Sequence, residues 1–363
     1  MRIKNLLIAL PLTAVLALGV AACSSDSDSE SGSGGGSVSG QIAGAGASSQ
    51  EAAMQAWIAN FQTNNPDATI TYDPVGSGGG REQFIAGATP FGGTDAAMEA
   101  EELTAAQKRC GGVDNYVEVP AYISPIAIAY NLDGVDSLNL SAETLAMIMK
   151  GEITKWNDQA IAAENEGTDL PDTTIAPVHR SDESGTTENF ASYLAATAPT
   201  VWDFEVSGDW PIKGGEAAQG TSGVISAINA GQGTIGYADL SQVGDLNTAN
   251  IKVGNEFTKP SAEAAAQIVD ISELVPGGGK NNFAFDLKRD TEQAGIYPIS
   301  LVSYLMACTK YDKAGDGDLV RAFYQYIISP EGQDAAASNA GSAPISNALR
   351  TKIQPAVDAI GTN

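Results

Sequence analysis

The chain of 363 residues contains a single histidine, His179, and three cysteines. Zinc sites draw their ligands mainly from His and Cys side chains at short spacings. No Cys-x-x-Cys pair occurs in the sequence, and no Gly-x-Ser-x-Gly turn presents a serine nucleophile. We therefore expect no metal site and no catalytic residues. We expect His179 to be a solvent-exposed neighbour of Arg180.

Basic side chains are also scarce, since 19 Lys and Arg residues face 44 Asp and Glu residues, for a formal net charge of −25. Nucleic-acid binding depends on Lys and Arg contacts to phosphates, so this composition excludes binding through a basic face. An anionic ligand would have to be held by local donors against the field of the chain. That field is largely screened beyond about 8 Å at physiological salt.

The N-terminus has the features of a targeting segment. Arg2 and Lys4 precede an apolar run over residues 6–20, which closes on Val-Ala-Ala-Cys. A short apolar stretch after positive charge predicts a signal peptide over 1–22, with a transmembrane anchor as the alternative. The closing motif resembles the lipobox of bacterial lipoproteins. That resemblance implies cleavage before Cys23 and a lipid on its sulfur.

Residues 23–40 are rich in Ser, Gly and acidic residues and contain one valine as their only large apolar side chain. Such a segment cannot bury enough surface to offset the entropy of ordering, so we predict a flexible tether. Together with a lipid on Cys23, the tether would hold the protein on the outer face of the cell membrane.

If Cys23 carries the lipid, two cysteines remain for other roles, Cys110 and Cys308. An even number of cysteines in an exported protein favours a disulfide, with two separately buried thiols as the alternative.

The remaining residues, about 320 in number, suggest two lobes instead of one core. Strands alternate with glycine turns and helices, which is the α/β pattern. Two strand-like runs, 116–130 and 297–304, could carry the chain between lobes. We therefore predict lobe I over 41–122 with 298–363, and lobe II over 123–297.

Three serines lie in glycine-rich turns where helices are expected to begin: Ser48, Ser77 and Ser184. Helix N-termini carry unpaired N–H groups and about half a positive charge, so they bind small anions. Each serine alone could simply cap its helix, and Glu51 would complete a capping box with Ser48. Recurrence of the pattern makes an anion site the stronger interpretation.

Two charged residues complete this hypothesis. Arg180, beside the third turn, offers a planar fork matched to two oxygens, although it could instead pair with Asp182. Asp95 could cap the helix that follows it. A carboxylate beside an anion is otherwise useful only if the ligand carries a proton, as phosphate does and sulfate does not. Asp95 would then distinguish the two ions.

These motifs occur in an order that resembles the phosphate-binding protein of the bacterial phosphate ABC transporter, the PstS type. The likeness covers residues 41–350 and includes the segments 44–48, 75–79, 91–95, 150–158, 180–186 and 233–237. The resemblance implies phosphate contacts from the following residues: Ser48, Ser49, Ser77, Asp95, Arg180, Ser184, Gly185 and Thr186. It also implies that Asp182 orients Arg180. Glu183 departs from the pattern, because its charge must point away from the anion or weaken binding.

The expected fold is therefore a two-lobed α/β binding protein of the periplasmic type II class, with a ligand cleft between lobes joined by two crossover segments. The expected function is extracytoplasmic phosphate binding by a monomer, without a cofactor, and delivery to the permease and ATPase subunits of an ABC transporter. The alternatives are another tetrahedral oxyanion such as sulfate or molybdate, a secreted phosphatase, or an adhesion or signalling role.

Overall fold

A computed structural model describes residues 38–361 of the chain. The predicted signal peptide over 1–22, the predicted lipidation site Cys23 and residues 24–37 of the predicted tether lie outside the described residues. Within residues 38–361, none of the helices combines the length and the apolarity that crossing a membrane requires.

Strands and helices alternate along most of the described chain. The strands are β1 (Gly40–Gly46), β2 (Ala68–Asp73), β3 (Phe91–Thr94), β4 (Tyr116–Asn131), β5 (Asn139–Leu140), β6 (Ala176–Arg180), β7 (Glu216–Ala218), β8 (Thr234–Asp239), β9 (Asn247–Thr248), β10 (Asn250–Val253), β11 (Glu256–Thr258), β12 (Glu273–Leu274), β13 (Phe285–Asp286) and β14 (Ser300–Cys308). The helices are α1 (Glu51–Asn64), α2 (Ser77–Ile85), α3 (Ala100–Arg109), α4 (Ala142–Lys150), α5 (Gln159–Glu164), α6 (Gly185–Thr197), α7 (Gly220–Ala230), α8 (Ala262–Asp270), α9 (Asp316–Ile328), α10 (Pro330–Ala340) and α11 (Asn347–Asp358).

Most of the long strands belong to one mixed sheet in the order β2-β1-β3-β14-β4-β8-β6-β7, with β9 also paired to β4. Strand β1 runs parallel to β2 and β3, and β6 runs parallel to β7 and β8. Strands β4 and β14 are antiparallel to each other and are buried along almost their whole length. Central strands covered on both faces read as continuous apolar runs, which explains why both were visible in the sequence.

Strand β4 changes partners in its middle. It pairs with β14 up to Pro125 and with β8 from Ile126 onward. We call β1, β2, β3, β14 and residues 116–125 of β4 the first half-sheet. The remainder of β4, together with β6, β7, β8 and β9, is the second half-sheet. The change of partner falls inside the run that the sequence predicts as a crossover.

Helix α1 shows how the apolar pattern specified one element. Met54, Trp57, Ile58 and Phe61 occur at i, i+3, i+4 and i+7, a spacing that predicts one apolar helix face. Met54, Trp57 and Phe61 are buried in the structure, and Ile58 is partly buried against the same core. Trp57 also donates a hydrogen bond to the main-chain oxygen of Gly332 in α10 at 2.7 Å. The predicted capping box with Ser48 is wrong, because the helix begins at Glu51 after Gln50 and has no side-chain cap.

A disulfide joins Cys110 and Cys308, whose Cα atoms lie 5.2 Å apart. Cys110 immediately follows α3, and Cys308 is the last residue of β14. The bond therefore ties the end of α3 to a central strand of the first half-sheet across 198 residues of sequence.

Candidate anion-binding site

The predicted site residues lie where parallel strands end. Ser48 and Ser49 follow β1, Asp95 follows β3, and Ser77 opens α2 after β2. On the second half-sheet, Arg180 ends β6, and the next residues lead into α6. Open α/β sheets bind ligands at the carboxyl ends of their strands. The topology therefore brings two such edges, one from each half-sheet, to face each other.

The structure gathers the predicted residues into one buried cluster. None of the side chains is more than 4% exposed among Ser48, Ser49, Ser77, Asp95, Arg180, Ser184 and Thr186. Gly185 is buried as well. Buried hydroxyl and charged groups need partners, so each must be satisfied by a neighbour or by a ligand.

Asp95 is at the centre of this cluster. The Ser49 hydroxyl lies 2.7 Å from each of its carboxylate oxygens, and the Ser303 hydroxyl donates to Oδ1 at 2.6 Å. Thr186, from the second half-sheet side, donates to Oδ2 at 3.4 Å. The capping interpretation of Asp95 is wrong, because α3 begins at Ala100 and is capped by Glu99.

The carboxylate of Asp95 can accept one more hydrogen bond. Burial raises the pKa of this carboxyl, and the hydrogen bonds from Ser303 and Ser49, the charge of Arg180 and the hydrogen bond from Thr186 offset part of that rise. An ionised carboxylate has about four acceptor positions, and the three hydroxyls supply only three protons, since the single proton of Ser49 is shared between the two oxygens. The remaining position suits a protonated oxygen of a ligand.

The two sides of the site approach each other closely at Gly185. A Cβ atom on this residue would lie 2.6 Å from the Ser77 hydroxyl oxygen and 2.7 Å from the Cβ of Asp95. No larger residue fits there without displacing one side. Ser184 caps α6 by accepting from the Thr187 N–H at 3.3 Å, and its hydroxyl proton stays free to donate.

Arg180 and Asp182 form a two-pronged ion pair. Nε of Arg180 donates to Oδ1 of Asp182 at 2.8 Å, and Nη2 donates to Oδ2. Burial raises the pKa of Asp182, but the hydrogen bond and charge of Arg180 outweigh it and the net shift is downward. The guanidinium has five N–H donors, so this pairing leaves three for another anion.

Ser48 contacts the second half-sheet side through residues that the sequence analysis did not identify. Its hydroxyl accepts from the Thr221 N–H at 3.2 Å and lies 3.1 Å from the Thr221 hydroxyl. The side chain of Gln242 donates to the Ser48 carbonyl at 2.9 Å. Residues 220–223, Gly-Thr-Ser-Gly, open α7 and repeat the hydroxyl-plus-glycine pattern, so a fourth helix start was recognisable in the sequence.

Asn189 is another residue that the sequence did not reveal. Its Nδ2 donates to the carbonyl oxygen of Asp95 at 2.7 Å and to that of Gly185 at 2.8 Å, and so joins both sides of the site. Its Oδ1 accepts from Nη2 of Arg289. Nη1 of Arg289 donates to the carbonyls of Pro298 and Ser300 at 3.2 and 3.0 Å. The site is thereby connected to the start of β14.

Tyr237 of β8 fixes the arginine segment relative to α6. Its hydroxyl accepts from the Arg180 N–H at 3.3 Å and lies 2.7 Å from the Thr187 hydroxyl. Its ring stacks on Phe190 of α6, with 4.6 Å between ring centroids. Burial raises the pKa of Tyr237 to about 12, so the hydroxyl keeps its proton at neutral pH.

His179 is buried, contrary to the expectation of an exposed neighbour. Its ring stacks on Trp210 at 5.2 Å between centroids. Its two nitrogens face the main-chain oxygens of Arg180 at 2.8 Å and Gly214 at 3.0 Å. Because both nitrogens point at main-chain oxygens, neither is aimed at a serine hydroxyl as the nitrogen of a catalytic base would be.

No group of three or more His, Cys, Asp or Glu side chains within residues 38–361 is arranged to hold a metal ion. The cluster is instead a set of hydroxyls, helix-start amides and the Arg180 guanidinium around the Asp95 carboxylate. Such a set can desolvate and hold a small oxyanion.

Comparisons with known proteins agree with this geometry. A family model described as a PBP superfamily domain matches residues 31–331. The phosphate-binding protein PstS 3 of Mycobacterium leprae is 36% identical over 325 residues, covering 87% of this chain and 86% of the relative. The phosphate-binding protein PstS of Xylella fastidiosa is 33% identical over 300 residues, covering 79% and 77%.

Among solved structures, the phosphate-binding protein of Stenotrophomonas maltophilia superposes with a TM-score of 0.64. It is 18% identical, and the match covers 87% of this chain and 94% of that one. The fold is that of the two-lobed type II periplasmic binding proteins, and the chain belongs to the PBP superfamily. Within that superfamily it is a member of the PstS family of phosphate-binding proteins.

Proposed function

We propose that this protein binds inorganic phosphate outside the cytoplasm and delivers it to the permease and ATPase subunits of an ABC transporter. The observation that carries the proposal is the buried Asp95 carboxylate, which has about four acceptor positions for three hydroxyl protons and feels the charge of Arg180. A fully deprotonated tetrahedral ion has only acceptor oxygens, so its lone pairs would face those of the Asp95 carboxylate. An ion that carries a proton would donate a hydrogen bond to Asp95 instead.

In this proposal the first half-sheet side contributes the hydroxyls of Ser48 and Ser77, the N–H of Ser49 and the acceptor Asp95. The second side contributes the Arg180 guanidinium and the donors of α6, namely Ser184, Gly185 and Thr186. Asp182 orients Arg180 through their ion pair. The names of the PstS relatives, which describe phosphate-binding proteins, support the same ligand.

Apart from the hinge residues, the two half-sheets would move as lobes, with 41–122 and 298–363 in lobe I and 123–297 in lobe II. The hinge would lie near 120–125 and 297–301, where β4 changes partners and β14 begins. Contacts between the two sides, such as that of Ser48 with Thr221, would form as the lobes close over the ion.

The remaining features of the proposal concern location and assembly. A signal peptide over 1–22 would direct export, and acylation of Cys23 would anchor the protein to the outer face of the membrane. The protein would act as a monomer, without a cofactor and without chemical conversion of its ligand. Both nitrogens of His179 point at main-chain oxygens and not at a hydroxyl nucleophile, which favours binding over hydrolysis.

Calorimetric titration tests the proposal after bound ligand has been stripped from the protein. We expect tight phosphate binding and, for sulfate, binding weaker by on the order of a thousandfold. The Asp95→Asn variant should reduce this preference to about tenfold, because its amide can donate to sulfate. The matched control Asp318→Asn changes an exposed carboxylate on α9 and should leave both affinities unchanged.

Tighter binding of sulfate or molybdate than of phosphate would replace the proposed ligand with another oxyanion. An unchanged preference in Asp95→Asn would show that selectivity does not depend on this carboxylate. Turnover of a phosphomonoester by the purified protein would favour a secreted phosphatase instead.

A further inference from the structure

Arg81 occupies an unusual position beside the candidate site. It lies on α2, four residues after Ser77, and is 3% exposed. Its Nε donates to Oε1 of Glu102 at 2.9 Å, and its Nη1 donates to the Thr94 hydroxyl at 3.1 Å. Both of these partners belong to the first half-sheet side, since Thr94 ends β3 and Glu102 lies on α3.

The third contact of Arg81 crosses to the other side of the site. Its Nη2 donates to Oε1 of Glu183 at 2.6 Å. Glu183 lies in the segment between Arg180 and α6 and directly precedes Ser184. The ion pair therefore joins α2 to the segment that carries the guanidinium and amide donors.

Glu183 carries a negative charge in the segment that donates to the anion, where it would weaken anion binding if it faced the ligand. The structure turns its side chain onto α2, and the absence of a side chain at two glycines makes this possible. A Cβ on Gly78 would lie 2.2 Å from Oε2 of Glu183, and a Cβ on Gly208 would lie 2.9 Å from its Cγ. The packing around Glu183 thus holds it against Arg81.

Arg81 also compensates the negative charge of a cluster of glutamate side chains. Burial raises the pKa of Glu183, and the charge of Arg81 opposes that rise. Burial likewise raises the pKa of Glu188 to about 7, again against the charge of Arg81 and together with the charges of Glu99 and Glu102. Loss of Arg81 would leave this cluster uncompensated next to the anion-binding segment.

We propose that Arg81 is a positioning residue for anion binding that acts through Glu183. It neutralises a carboxylate adjacent to the donor segment, and the ion pair stabilises the arrangement in which the two sides enclose the ligand. This inference rests on the proposed function. Glu183 is 45% exposed, so the inference rests on the charge of the whole acidic cluster and not on a buried pair. It predicts that the charge of Glu183 is tolerated only while Arg81 is present, because without Arg81 the uncompensated carboxylates would lie beside the donors for the anion.

The test compares Arg81→Met, Glu183→Gln and the double variant with the unmodified protein. Phosphate affinity is measured by calorimetry, release by stopped-flow displacement, and folding by thermal unfolding. We expect Arg81→Met to weaken phosphate binding by about thirtyfold. Glu183→Gln alone should accelerate release by only about threefold. The double variant should bind within about threefold of Glu183→Gln, which is a rescue of Arg81→Met.

The matched control is Glu102→Gln, which removes the charge of the partner that Arg81 has on its own side. We expect its phosphate affinity to stay within about twofold of the unmodified protein. Equal weakening in Arg81→Met and in the double variant would overturn the inference, since Arg81 would then act without Glu183. Failure of the unmodified protein to bind phosphate would instead overturn the proposed function.

If Arg81→Met fails to fold, the release rate of Glu183→Gln supplies the decision. It should exceed that of the unmodified protein by about threefold, because the ion pair between the two sides of the site is lost. An unchanged release rate would overturn the inference.

Discussion

The two sides of the candidate site contribute different chemistry. The first half-sheet side supplies serine hydroxyls and the Asp95 carboxylate, whereas the second supplies the Arg180 guanidinium and the amides that open α6. The acceptor that would select a protonated ligand is therefore separated from the donors that would neutralise its charge. This division suggests that affinity depends mainly on the second side and selectivity mainly on the first.

The largest loss of phosphate affinity should come from removing the positive charge that the second side contributes through Arg180. We expect Arg180→Met to weaken phosphate binding by about a thousandfold, because the ion would lose charge-assisted hydrogen bonds in a buried site. Calorimetry should show that the remaining preference for phosphate over sulfate is largely retained. The control Arg321→Met removes an arginine of α9 that pairs with Asp318. A loss of selectivity as large as the loss of affinity would contradict the proposed division.

A smaller loss of phosphate affinity should follow from removing the hydrogen bonds by which Asn189 joins the two sides of the site. Asn189→Ala removes donors to the carbonyls of Asp95 and Gly185 and leaves Arg289 without one acceptor. We expect phosphate affinity to fall about tenfold and the free energy of unfolding to fall by about 1–3 kcal/mol. Calorimetry and urea unfolding measure the two quantities.

The control for Asn189 is Asn339→Ala, which removes an exposed side chain that donates to a single carbonyl, that of Ala52. We expect little change in either quantity for this variant. Unchanged phosphate affinity in Asn189→Ala would show that the two sides do not depend on this connection.

The smallest effect concerns a buried carboxyl of the first half-sheet outside the site. Glu118 accepts from Tyr116 at 3.1 Å and from Asn282 at 2.7 Å, and its Oε1 has no hydrogen-bond partner. Burial raises its pKa from 4.5 to about 7. The folded protein therefore keeps a proton that the unfolded chain releases. The resulting stabilisation is complete below pH 4.5 and is lost as the pH rises through 7.

Replacing Glu118 by Gln should remove this pH dependence. Between pH 5 and pH 8, the free energy of unfolding should fall by roughly 1–3 kcal/mol more in the unmodified protein than in Glu118→Gln. Urea unfolding at both values measures the difference, while phosphate affinity should not change. Parallel pH profiles of the two proteins would contradict the assignment. Asp95 would then be the better candidate for pH-dependent stability.

Local sequence patterns were sufficient for many elements. The spacing of Met54, Trp57 and Phe61 predicted the buried face of α1, and the apolar run from residue 116 predicted β4. Other predictions failed at helix starts. Ser48 and Asp95 have the chemistry of N-caps, but α1 and α3 begin farther along the chain. The chemistry of an N-cap residue shows that it could begin a helix, but it does not show that a helix begins there.

The residues that the sequence did not reveal contact the site from distant positions. Ser303 donates to Asp95 across 208 residues, and Gln242 reaches Ser48 across 194. Ser303 did leave a signal, because it is a polar residue in a strand that is otherwise largely apolar. Arg81 pairs with Glu183, which is 102 residues away in the sequence. No local pattern around Arg81 indicates which carboxylate it pairs with.

The sequence alone determined the α/β alternation, the scarcity of metal ligands and the set of hydroxyl, amide and guanidinium groups available to an anion. Periodicity and side-chain chemistry are local properties, so they can be read along the chain. Only the tertiary structure decided that Asp95 is held by Ser49 and Ser303 and that Glu183 turns toward Arg81. The physical reason is that burial and charge pairing depend on which strands lie side by side, and the partner change within β4 fixes that for both half-sheets.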